Sequence, residues 1–126
     1  MQVQKRPSAI LVVDDDPIIR DMMVDILSFE AYPISVARNG REALEILRRD
    51  GNFLVFMDML MPVMDGREVC RQLLAEPEVR QRHVIVLMSA LDNMVDISAL
   101  QVDATMPKPF TVDDVMQVLE PYMLTG

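Results

Sequence analysis

Short runs of apolar, β-branched residues alternate along this chain with segments whose apolar positions recur every three to four residues. The first run, Ala9 to Val13, is apolar at every position, as expected of a strand covered on both faces. Asp16-Pro17 follows it, an N-cap residue with proline at the first helical position. Ile19, Met22, Met23, Ile26 and Leu27 then recur at helical spacing and predict a helix to about Ala31. Pro33 to Ala37 reads as a second, shorter strand. Asn39-Gly40 turns the chain into a helix buried through Ala43, Leu44, Ile46 and Leu47, with Glu42 spaced for a capping box. Gly51-Asn52 closes that helix, and Phe53 to Met57 is a third, wholly apolar strand. After a loop containing Pro62, Asp65-Gly66-Arg67-Glu68 opens a third helix with another possible capping box. Val84 to Met88 forms a fourth strand, and Asp92 to about Leu100 a short, weakly periodic helix. Ala104 to Pro107 fits a short fifth strand, because Pro107 lacks the ladder donor and suits a strand end. Thr111, with Asp114 three residues on, caps a last helix whose Val112, Val115, Met116, Leu119 and Met123 face inward.

The sum is a (βα)5 pattern. Alternating helices and fully apolar strands imply a five-stranded parallel sheet, doubly wound with helices on both faces. Of the doubly wound orders, 2-1-3-4-5 suits five strands of this size, and ligands then sit beyond the carboxyl ends of strands 1 and 3. The 126 residues fit one domain, 1–126, with a core of about 8–124.

Composition narrows the class of function. Half of the residues are apolar and a quarter charged, as in soluble globular folds. No apolar run approaches the roughly 20 residues that span a bilayer, and the polar, basic segment from Met1 to Pro7 does not lead into a signal-peptide pattern. A net charge of −8 argues against nucleic-acid or anionic-membrane partners. Cys70 is the single cysteine, so a reducing cytoplasmic setting is expected. The twelve methionines read as an adaptable core.

The chemistry-bearing residues fall at the carboxyl ends of strands. Asp14 and Asp15 end strand 1, Asp58 ends strand 3, Ser89 ends strand 4 and Lys108 follows strand 5. In the expected order strands 1 and 3 are neighbours, so three carboxylates converge and repel unless something neutralises them. A hard divalent cation with oxygen ligands, such as Mg2+, would do so. Lys108 adds a second positive charge and Ser89 a hydroxyl. An ionised carboxylate, a divalent ion, a lysine and a hydroxyl together suit phosphoryl transfer, in which positioning and fixed positive charge do most of the catalysis. A carboxylate is an accepted nucleophile for it.

These residues carry a resemblance over essentially the whole chain. Ile10-Leu-Val-Val-Asp-Asp-Asp-Pro17, Met57-Asp-Met-Leu-Met-Pro-Val-Met-Asp-Gly66, Ser89-Ala90 and Lys108-Pro-Phe110 resemble, in that order, the motifs of response regulator receiver domains. Any one alone would be weak; four in order are specific. The resemblance implies the flavodoxin-like receiver fold, whose strand order is the one chosen above, so that choice leans on it. It implies that Asp58 is the phosphoacceptor, that Asp15 ligates Mg2+ directly and Asp14 mostly through water, and that the backbone carbonyl of Leu60 adds a ligand. Ser89 and Lys108 would contact the phosphoryl oxygens, and the Lys108-Pro109 bond would be cis. The implied partners are a sensor histidine kinase or phosphotransfer protein and a further downstream protein. The module would catalyse only its own phosphorylation and dephosphorylation.

Other polar residues have plainer readings. Asp16 caps a helix, Asp65-Gly66 is turn and cap chemistry, His83 lacks partners for a metal site, Cys70 is a buried thiol and Phe110 packs. The chain also departs from the family. Receivers commonly carry an aromatic residue where Thr105 stands, and a Gly-Ala pair where Gln101-Val102 stand. The stretch from Ser89 to Lys108 is a few residues short. These changes fall on the face through which many receivers signal, which motivates an alternative: a docking scaffold that works irrespective of phosphate. Leu60 and Leu91, two residues after Asp58 and Ser89, are both apolar and would hinder an attacking water, giving slow autodephosphorylation. An aspartate-nucleophile phosphatase of the haloacid-dehalogenase type would need a second aspartate where Leu60 stands, and there is no cap domain. The expectation is a free-standing regulator or one domain of a longer protein.

Overall fold

The computed structural model describes residues 6–90 and 97–122. Five strands form one parallel sheet: β1 Ala9–Val13, β2 Ile34–Ala37, β3 Phe53–Asp58, β4 Val84–Ser89 and β5 Ala104–Pro107. Their order is β2-β1-β3-β4-β5, as expected. Register places Val13 beside Met57 and Ala37, Asp58 beside Met88, and Ser89 beside Pro107. The carboxyl ends of β1, β3, β4 and β5 therefore share one rim.

The two-residue period of the strands divides the core into two layers. Leu11, Val13, Val55, Met57, Ile85 and Leu87 point to one face, where α2 (Gly40–Arg48) and α3 (Gly66–Leu74) cover them with Leu44, Leu47, Val69 and Leu73. Ile10, Val12, Leu54, Phe56, Val84, Val86 and Met88 point to the other, under Met23 and Leu27 of α1 (Pro17–Leu27) and Val115 and Leu119 of α5 (Val112–Leu119). Apolar side chains on both faces explain the uninterrupted runs of β1, β3 and β4, each fully buried side chain contributing about 1.5–3 kcal/mol. The edge strand β2 is different: Ser35 and Val36 are exposed and only Ala37 is buried.

Capping follows the local chemistry. The side chains of Asp16, Asn39, Asp65 and Thr111 accept the N–H groups of Ile18, Glu42, Glu68 and Asp114. Only Thr111–Asp114 forms the reciprocal box. The Glu42 carboxylate instead takes the Arg38 backbone N–H and guanidinium, and Glu68 turns to the Arg71 guanidinium and the Gln72 amide, the arginine bonds being charge-assisted.

Several expectations are corrected. The first helix ends at Leu27, not near Ala31: Ser28 caps it and Glu30 N–H turns back to Leu27. Val112, the first residue of α5, is 53% exposed rather than inward. Met22, also expected on the apolar side, is exposed. A single-turn helix, α4 (Pro77–Arg80), sits between α3 and β4. The fourth predicted helix lies partly outside the described residues, with Leu91 and Asp92; its end, Ile97–Leu100, is a 3-10 turn that buries Leu100. Met123 is likewise outside them.

Candidate functional site

The shared rim gathers the predicted residues. Asp14 immediately follows β1 and is fully buried, and Asp58 ends β3 at 7% exposure. One carboxylate oxygen from each of Asp14, Asp15 and Asp58 lies within 4.8 Å of the other two, with Asp15 exposed at the mouth. Lys108 reaches in after β5, its Nζ 2.9 Å from both Asp14 Oδ2 and Asp58 Oδ2. Its peptide bond to Pro109 is cis, as expected. Ser89, buried at the end of β4, donates its hydroxyl to the Ala90 carbonyl at 2.9 Å, with Met59 Sδ 3.8 Å away. A pocket of about 250 Å³ opens between Asp58, Met59, Leu60, Ser89, Ala90 and Lys108.

The chain is folded locally to hold this arrangement. The Asp16 N–H donates to Asp14 Oδ1 at 2.9 Å, and Asp14 N–H to the Ala37 carbonyl of β2. Lys108 N–H bonds the Ser89 carbonyl. Met59 N–H bonds the Met88 carbonyl, and Gly66 N–H returns to the Met59 carbonyl, folding the loop after Asp58 tightly over β3.

Electrostatics set Asp58 apart from ordinary surface acids. Burial pushes the Asp58 carboxyl above its usual pKa and the charge of Asp14 adds to this, while Lys108 and a backbone hydrogen bond from Leu60 oppose. Burial disfavours the Lys108 ammonium, yet the hydrogen bonds and charges of Asp14 and Asp58 outweigh it and hold its pKa above the ordinary lysine value. The donor set fits a hard divalent cation: three carboxylates converge within one coordination sphere's reach, with no thiolate or imidazole among them.

The amino-acid sequence matches the family described as the response regulator receiver domain over residues 10–120. The chain belongs to that family. Among curated relatives, response regulator MprA of Mycolicibacterium vanbaalenii is 36% identical over 110 residues, which is 87% of this chain and 48% of the relative. MprA of Mycobacterium leprae is 35% identical over 107 residues, 85% of this chain and 47% of the relative. This receiver thus spans about half the length of the curated relatives it matches. Among solved structures, the signal receiver domain of a signal transduction histidine kinase from Syntrophus aciditrophicus superposes with a TM-score of 0.78 at 29% identity, covering 90% of this chain and 87% of that one. A chain in the co-crystal structure of the Saccharomyces cerevisiae phosphotransfer protein Ypd1 with the receiver domain of Ssk1 shares the fold, at a TM-score of 0.81 and 22% identity, covering 95% and 91%.

Asp14, Asp15, Asp58, Ser89 and Lys108 are thus brought together. Thr105 is not: it lies on β5 beside Leu87 and lines a separate groove of about 330 Å³ with Met106, Gln117, Val118 and Tyr122. Leu60 stands half-exposed at the pocket wall, while Leu91 is outside the described residues. The plainer readings also find their places. His83 is buried, Nδ1 accepting the Phe53 N–H, which leaves Nε2 to donate to the Leu47 carbonyl. Cys70 is buried and Phe110 packs under α5.

Three residues near the site escaped sequence reasoning. Met59 lines the pocket beside Ser89. Gly66 approaches the Asp58 carbonyl so closely that a Cβ would lie 2.5 Å from that oxygen. Arg20 of α1 donates to the Asp14 backbone carbonyl at 2.9 Å. Gly66 had a turn signal only, and Arg20 had none.

Proposed function

We propose that this receiver accepts a phosphoryl group on Asp58, from a phosphohistidine of a sensor histidine kinase or phosphotransfer protein. The observation that carries this reading is the pocket in which Asp58, Ser89 and Lys108 face one another beside two further carboxylates. Asp58 Oδ attacks phosphorus, the phosphorus–nitrogen bond to the donor histidine breaks, and the freed imidazole keeps the electron pair and takes up a proton. Lys108, now shared between Asp14 and Asp58, would turn to the phosphoryl oxygens, and Ser89 would exchange the Ala90 carbonyl for one of them. Asp14, Asp15, Asp58 and the Leu60 backbone carbonyl would hold Mg2+. When bound, the ion would neutralise the carboxylates and the charge on the transferred group.

The module would turn over no other substrate; phosphate would bias a two-state equilibrium read by a downstream protein. Leu60 would keep water from lining up behind the phosphorus and so prolong the phosphorylated state. Cytoplasmic residence fits this role, and among the described residues no helix is long and apolar enough to cross a membrane. The test is intact-mass measurement after incubation with Mg2+ and a small acyl phosphate. A gain of one phosphoryl group is expected for the native chain and none for Asp58→Asn. No gain in either would leave docking without phosphate as the better reading.

A further inference from the structure

Arg20 sits one turn inside α1 and carries the only positive charge of that helix. Its guanidinium reaches back six residues to the Asp14 carbonyl, 2.9 Å from Nη1. Asp14 is fully buried, so this carbonyl requires a partner. The other groups of Asp14 are already committed: N–H to Ala37, Oδ1 to Asp16 and Oδ2 to Lys108. The Asp14 carbonyl and the Asp15 N–H belong to one rigid peptide plane. A guanidinium fixed to that carbonyl therefore sets the plane from which the Asp15 side chain departs, and couples it to the first turn of α1.

We propose that Arg20 is a positioning residue of the divalent-cation site, acting through the Asp14–Asp15 peptide rather than by touching the ion. This rests on the metal reading above. The charge of Arg20 also bears on Glu42, whose carboxyl is held low first by the Arg38 side-chain hydrogen bond and then by the Arg38 N–H, with Arg20 a smaller contributor.

Charge and position predict opposite signs. A nearby guanidinium repels a cation, so as a bystander charge its removal would tighten metal binding. As a positioning group its removal weakens binding, by about tenfold to a hundredfold as for other outer partners of metal ligands. The experiment is Mn2+ binding to the whole chain, read from the electron paramagnetic resonance signal of free Mn2+. The proteins are native, Arg20→Ala, Arg20→Lys and Arg41→Ala, the last removing an exposed arginine of α2. Thermal unfolding without metal is recorded in parallel. The expected result is a tenfold or greater loss for Arg20→Ala, most of the affinity kept by Arg20→Lys, and no change for Arg41→Ala. Unchanged or tighter binding in Arg20→Ala overturns the proposal. If Arg20→Ala does not fold, Arg20→Gln replaces it: weaker binding than Arg20→Lys supports the role, and equal binding overturns it. A native chain that binds Mn2+ no better than Asp15→Asn and Asp58→Asn overturns the metal site itself, and this inference with it.

Discussion

Replacing Gly66 by alanine sets two effects against each other. Gly66 opens α3, where alanine improves intrinsic helix propensity by at most about 1 kcal/mol. Its position opposes that gain. An added Cβ would lie 2.5 Å from the Asp58 carbonyl oxygen, 3.1 Å from Leu87 Cδ2 and 3.2 Å from Met59 Cα. Two of these atoms are backbone and cannot rotate away. Overpacking of this kind costs about 1–3 kcal/mol, and a clash with a strand-end carbonyl belongs at the upper end. Gly66→Ala should therefore lower stability by roughly 2 kcal/mol net, despite the better helix former. The loop after Asp58 should move with it, because Gly66 N–H is bonded to the Met59 carbonyl. The chain has no tryptophan, so urea unfolding is followed by far-ultraviolet circular dichroism. Equal or greater stability of Gly66→Ala would refute the packing argument. Lower stability with an undiminished rate of acyl-phosphate labelling would show that Asp58 does not depend on this approach.

Other consequences follow from single contacts. Burial pushes the Cys70 thiol up to about 11, so between its ordinary pKa and that value the unfolded chain loses the proton while the folded chain keeps it. Stability should fall as pH rises from about 9 to 11, by up to about 2.7 kcal/mol from this group; urea midpoints for native and Cys70→Ala chains that fall in parallel would contradict this. His83→Ala removes the acceptor of the Phe53 N–H and leaves a cavity between α2 and β4, at a cost of about 2–4 kcal/mol; a loss under 1 kcal/mol in urea unfolding would count against the buried hydrogen bonds. Leu60→Gln, at the wall of the Asp58 pocket, should speed phosphoryl loss roughly tenfold by helping a water line up, a decay that mass measurement over time can follow; an unchanged half-life would dismiss Leu60 as a barrier.

What could be read from the amino-acid sequence was what is local or repeated. Cap residues Asp16, Asn39, Asp65 and Thr111 act within three residues of themselves, and each was legible. Strands β1, β3 and β4 were legible because burial on both faces leaves an uninterrupted apolar run, and the site because its members lie at strand ends. Where a choice depended on distant neighbours, the pattern failed. Glu42 had the spacing of a capping box, but Arg38 offers it a stronger donor. Val112 fits the period of α5, but at the first position of the helix its side chain stands exposed. The first helix has no glycine or proline at its close, so its apolar rhythm suggested four residues too many. Arg20 and Gly66 matter through contacts with the main chain of Asp14 and Asp58, which no side-chain pattern records.

The central claim is that the buried carboxylate at the end of β3 is the phosphoryl acceptor. Labelling with acetyl phosphate and Mg2+, trapping with borohydride and sequencing the peptides tests it most directly, since reduction converts an aspartyl phosphate to homoserine at the labelled position. The account predicts homoserine at position 58 alone, and none when Mg2+ is chelated. Homoserine at Asp14 or Asp15, or labelling that persists in Asp58→Asn, would contradict it.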